Sequence, residues 1–180
     1  MRKKVFLIMG LTALLAAQVH AQSIGIGPQV GYYRAQDADQ GNFTGGVALR
    51  LKLVPFLGAE ASIGYRQEKY ADELLTVRSW PVMVTGLIYP LPMIYGAMGF
   101  GWYNTTFDYD QDRLPLLKDE TAQKIGWHFG GGVELPLGTN VKLTADIRYV
   151  FLDYDFKEIP GSSDLKSNFY VITAGLLFGL

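Results

Sequence analysis

Apolar and polar residues alternate along most of the chain, and the stretch "VKLTADIRYV" does so without a break. Val141, Leu143, Ala145, Ile147 and Tyr149 are apolar or aromatic, whereas Lys142, Thr144, Asp146 and Arg148 are polar or charged. A period of two places successive side chains on opposite faces of an extended strand, so this segment has two unlike faces. Alternation bounded by turn residues predicts eight strands, over about 23–34, 43–53, 57–67, 75–88, 93–107, 122–135, 141–155 and 167–180. The connections after the second, fourth and sixth strands are tight: Val54-Pro55-Phe56, Tyr89-Pro90-Leu91-Pro92 and Pro136-Leu137-Gly138-Thr139-Asn140. The others are longer and polar: "AQDADQGN", "QEKYADE", "DYDQDRLPLLKDE" and "FKEIPGSSDLK".

An even number of antiparallel strands, with short turns at one end and long polar loops at the other, is the pattern of an outer-membrane β-barrel. A soluble barrel would turn its apolar face inward, and four features argue for the opposite facing. Small residues accompany the charges on the polar faces: Gly58, Glu60, Ser62 and Gly64 on the third strand, Gly126, His128, Gly130, Gly132 and Glu134 on the sixth. A crowded eight-stranded interior needs such residues. Tight turns centred near Pro55 and Gly138 would set Arg50 opposite Glu60 and Lys142 opposite Glu134, partners that a narrow lumen requires. The apolar face carries Leu49, Leu51, Leu57, Ala59, Ala61, Ile63, Val133, Leu135, Val141, Leu143 and Ile147, with Tyr65, Trp127, Tyr149 and Phe151 towards the loop ends. Aliphatic centres with aromatic rims suit a lipid-facing band. The last strand places Tyr170, Ile172, Ala174, Leu176, Phe178 and Leu180 on one face, with Thr173, Gly175 and Gly179 on the other. On the fourth strand both phases are about equally apolar, the fifth is similar, and a bulge near Pro81 would reconcile them.

The first residues fit this reading. Arg2, Lys3 and Lys4 precede an apolar run from Val5 to Ala17, and Val19-His20-Ala21 provides a small-residue cleavage site, so residues 1–21 read as an export signal and residues 22–180 as one barrel domain. Of the 16 Lys and Arg, three leave with that segment, and 13 remain against 17 acidic residues. A mildly acidic chain argues against nucleic acid as a partner. Cysteine is absent, which excludes disulfides, a thiolate nucleophile and Cys-ligated metal.

The segments "GWHFGGGVELPLGTNVKLTADIRYVF" and "YGAMGFGWY", with the aromatic-rich last strand, resemble the small outer-membrane β-barrel superfamily that includes the OmpA barrel domain and the OmpX and OmpW types. The resemblance covers nearly all of residues 23–180 and concerns architecture rather than chemistry. Many relatives end in Phe, which the barrel-assembly machinery reads, whereas this chain ends Phe178-Gly179-Leu180. Nothing similar to the periplasmic peptidoglycan-binding domain of full-length OmpA follows. The resemblance implies a monomer in the bacterial outer membrane, surrounded by lipid and lipopolysaccharide, with periplasmic termini and four external loops.

Three constellations could carry chemistry. His128 falls on the inward face, beside Arg148 in the expected hairpin register, and "GWHFGG" lacks the His-x-Ser arrangement of barrel deacylases, so it reads as structural. Arg50, Lys52, Glu60, Glu134, Lys142, Asp146 and Arg148 form a lumen charge network, either a rigid salt-bridged core or the lining of a narrow pore; eight strands leave room for side chains and favour the core. Asp108, Asp110, Asp112 and Asp119 are spaced like calcium ligands, but Arg113 stands where such a loop needs glycine, so a solvated loop is expected and no metal or cofactor. The leading function is a non-enzymatic envelope protein acting in membrane integrity or surface contact. A small channel or passage for small or hydrophobic solutes comes second, and a lipid-modifying enzyme third.

Overall fold

The computed structural model describes residues 23–35, 41–70, 75–109, 120–152 and 168–180. They form eight antiparallel strands: β1 (Ser23–Ala35), β2 (Asn42–Val54), β3 (Leu57–Tyr70), β4 (Leu75–Leu91), β5 (Ile94–Tyr109), β6 (Glu120–Pro136), β7 (Val141–Phe151) and β8 (Phe169–Gly179). Each pairs with its neighbour in sequence, and β8 pairs with β1 to close the barrel. Closure leaves no open sheet edge, the condition for strands to live in hydrocarbon. The strands match the eight expected ones, but β3, β5 and β6 extend further towards the loop end. "QEKY" is therefore strand rather than loop. The segment expected to be an export signal, most of the expected acidic loop and residues 153–155 of the seventh expected strand lie outside the described residues. Asp108 lies in β5, paired with Thr76, rather than opening a loop.

The apolar faces point outward. Val30, Ile88, Met98 and Ile125 each expose more than 60% of their surface, while Arg50, Glu60, His128 and Arg148 are buried. Aromatic rings gather towards the loop end of the outer wall, where Trp127 stacks on Phe151 at 4.0 Å and Tyr65 meets Trp80 at 4.5 Å between centroids.

Two register expectations change. No bulge occurs at Pro81: the β3–β4 and β4–β5 ladders keep one register on both sides of it. Proline lacks the amide donor, so ladder pairing to β3 lapses beside Pro81 without inserting a residue. This assigns the ambiguous faces, with Ser79, Thr85, Leu87 and Tyr89 of β4 and Tyr95, Ala97 and Tyr103 of β5 turned inward and buried. The register irregularities lie instead near the tight turns, between Lys52 and Val54 and between Ile88 and Leu91. In the β6–β7 hairpin, Leu137 donates to the carbonyl of Val141, centring the turn one residue later than expected. Glu134 therefore faces Thr144, and Lys142 faces Pro136.

Glycine on the inward face is a matter of room. A Cβ on Gly130 would collide with the backbone of Ile147 and Arg148, whereas one on outward-facing Gly45 would meet nothing within 4 Å. Gly130→Val should therefore cost at least about 2 kcal/mol by overpacking and lower the yield of closed barrel, with Gly45→Val near neutral. Mobility of unboiled samples on gels and urea titration in detergent would show the difference.

Candidate functional site

The inward charges of four strands, β2, β3, β6 and β7, meet in the turn-side half of the lumen. Arg50 on β2 sits directly opposite Glu60 on β3, as the expected hairpin register requires. Its Nε donates to Glu60 Oε2 at 2.9 Å, Nη2 donates to the same oxygen, and Nη1 donates to Glu134 Oε2 at 3.1 Å. Arg148 on β7 donates from Nη2 to Glu60 Oε1 at 2.7 Å and from Nε to Asp146 Oδ1 at 2.9 Å. Glu60 thus bridges two guanidiniums. Lys142 reaches Glu134 Oε1 at 2.9 Å along a diagonal, so the ion pair forms although the two residues are not directly opposite.

Two tyrosines from the strands with ambiguous phase complete this arrangement. Tyr95 accepts from Arg50 Nη2 at 3.1 Å and donates to Asp146 Oδ2 at 2.8 Å. Tyr89 donates to Glu134 Oε2 at 3.0 Å. Sequence reasoning missed both. The signal was present in β5, where Tyr95, Ala97, Gly99 and Gly101 share one phase and the bulky Ile94, Met98, Phe100 and Trp102 share the other.

His128 is opposite Val150, not beside Arg148, because of the displaced hairpin register. It is fully buried, and its Nε2 lies 2.9 Å from Thr85 Oγ1, which also accepts from Arg148 Nη1 at 3.2 Å. Lys52 stands outside the ion pairs, with its ammonium 4.2 Å from the centre of the Tyr89 ring. Among the described residues there is no cluster of His, Asp and Glu suited to a metal.

Towards the loop end the lumen changes character. Tyr33, Tyr103, Val150, Leu152, Phe169 and Val171 form an apolar cluster with Met83 against it. The guanidinium of Arg66 lies 4.5 Å from the Phe169 ring centre and 5.2 Å from that of Tyr33. A cavity of about 50 Å³ adjoins this plug and touches Arg148; another of about 210 Å³ opens at the turn end and touches Arg50.

A closed barrel with an apolar exterior, an aromatic rim and a paired ionic interior defines a transmembrane β-barrel protein. The family model for the outer membrane protein beta-barrel domain matches residues 5–178, and the chain belongs to that family. Solved structures agree on the fold. Ail, the attachment invasion locus protein of Yersinia pestis, solved in complex with the heparin analogue sucrose octasulfate, is 16% identical, with 88% of this chain and 97% of that one covered at a TM-score of 0.53. The N-terminal β-barrel domain of Pseudomonas aeruginosa OprF is 12% identical, with 87% and 97% covered at 0.57. Neisserial surface protein A is 12% identical, with 87% and 95% covered at 0.59. None of the curated proteins matches the chain.

Glu60 should be the most sensitive position of the network. Glu60→Gln leaves two buried guanidiniums short of an anion and is expected to cost about 3–5 kcal/mol. Adding Arg50→Met leaves Glu134 with Lys142 and Tyr89, so the double variant should be more stable than the sum of the single losses by about 1–3 kcal/mol. Urea unfolding of the refolded barrel measures the cycle.

Proposed function

We propose that the protein is a non-enzymatic component of the bacterial outer membrane, a closed and rigid barrel that serves envelope integrity or surface contact. The observation that carries this reading is the separation of the two lumen cavities. Arg148 borders the loop-side cavity, Arg50 borders the turn-side one, and both are bonded to Glu60 between them. A solute would have to break buried ion pairs and pass the Tyr33–Tyr103–Phe169 plug. The residues Arg50, Glu60, Glu134, Lys142, Asp146, Arg148 and His128 then act as a structural core rather than a selectivity lining. The full burial of His128 and Thr85, out of a substrate's reach, supports the non-enzymatic reading.

The orientation follows from the connections. The three tight turns, the start of β1 and the end of β8 face the periplasm, and the four longer connections face outward, where surface contact takes place. The outward apolar belt contacts lipid and lipopolysaccharide as a monomer, and the last strand engages the barrel-assembly machinery during biogenesis. In planar bilayers the refolded protein is expected to show no stable single-channel steps. Steady conductance that changes in Glu134→Gln would establish the channel reading instead.

A further inference from the structure

The ion pairs of the lumen balance without Lys52. Arg50, Lys142 and Arg148 are paired with Glu60, Glu134 and Asp146, three cations with three carboxylates. Lys52 is one charge more. It lies on the inward face of β2, two residues nearer the turn end than Arg50, and no carboxylate among the described residues pairs with it. Its contact is the face of Tyr89, whose hydroxyl is already committed to Glu134. An aromatic face attracts an ammonium but does not neutralise it.

This charge borders the open cavity of about 210 Å³, which Lys142, Ser23 and Asn140 also line. A water molecule needs only about 10–15 Å³ of such space, so a small oxyanion with its water fits. Glu134, which carries the one side-chain carboxylate among the lining residues, gives both oxygens to Lys142, Arg50 and Tyr89. Lys142 donates once to Glu134 and once, at 3.4 Å, to Ser23 Oγ, which leaves a third N–H for a ligand. The low-dielectric wall of a barrel strengthens the pull of the uncompensated charge on an anion. Arg66 at the other end presents a contrast: three rings surround it, and the adjoining cavity, about 50 Å³, is smaller than the turn-end one of about 210 Å³.

We propose that the turn-end mouth of the barrel is an anion-binding site in which Lys52 and Lys142 hold a phosphate group. Lysine suits it as a point charge with rotatable donors. The phosphate has two possible sources, free inorganic phosphate and the headgroup of an anionic phospholipid at the inner rim.

The test uses the mature chain refolded in a maltoside detergent, which contains no phosphate, and titrated calorimetrically with inorganic phosphate. Saturable one-site binding is expected, weakened at least about tenfold in Lys52→Gln, since one charge-assisted hydrogen bond is lost. Lys124→Gln, at the opposite end of the lumen, should bind like the parent. In case Lys52→Gln does not fold, NMR of the unmodified chain gives an independent reading, with phosphate-induced shifts expected at Lys52 and Lys142. A second arm places the barrel in nanodiscs with phosphatidylglycerol and no added phosphate. Shifts at the two lysines in that arm alone assign the site to lipid, and shifts with inorganic phosphate alone assign it to the free ion. The proposal is overturned by the absence of binding in both arms, by shifts elsewhere only, or by undiminished binding in a folded Lys52→Gln.

Discussion

A charge enclosed by a wall of hydrocarbon must find its counter-charge within the same cross-section, and Glu60 is where this barrel meets that demand. One carboxylate holds Arg50 and Arg148 together, and each guanidinium has its own second acid, Glu134 or Asp146. Tyrosine hydroxyls take up remaining hydrogen-bonding capacity. The glycines of β6 follow from this, because the backbone of β7 leaves no space for side chains at Gly130 and Gly132 while Arg148 and Asp146 reach across the lumen. Ion pairs in low dielectric are stable only when geometry and extra hydrogen bonds offset desolvation, and here both are present.

The lumen is divided along its axis. Its turn-side half is ionic and opens to a cavity, whereas its loop-side half is aromatic and aliphatic and nearly filled. The outer wall has a different division, with an aliphatic belt and aromatic pairs such as Trp127–Phe151 gathered towards the loop end. The loop end is therefore aromatic inside and out. The inner rings surround Arg66; the outer ones mark the boundary between hydrocarbon and headgroups.

Strand number, closure and the facing of every strand but β4 and β5 were legible in the sequence because period-two alternation and glycine placement report on both faces at once. The Arg50–Glu60 pair was legible because the turn at Pro55 fixes its hairpin. The β6–β7 register was not, since "PLGTN" admits more than one centre and the observed one depends on the Leu137–Val141 hydrogen bond. The Glu134–Lys142 contact formed regardless, because a lysine stem spans a diagonal. Tyr89 and Tyr95 were hidden in strands whose two phases are equally apolar: an inward tyrosine is apolar in composition and polar in use. The apolar plug escaped for a related reason, as the polar-inside rule holds for half of the lumen only.

Glu60 and Arg148 are 88 residues apart in the chain, and Arg50 and Glu134 are 84 apart. No hairpin can bring either pair together; both need the sheet to curl until distant strands face each other. Contacts of such separation carry a loop-closure cost that no local turn reduces. In an unclosed sheet only hairpin partners such as Arg50 with Glu60 and Lys142 with Glu134 can meet. The β1–β8 seam, where Gly25 faces Gly179, joins residues further apart still, so seam and network exist only in the closed barrel, and the network is a latch of that closed form.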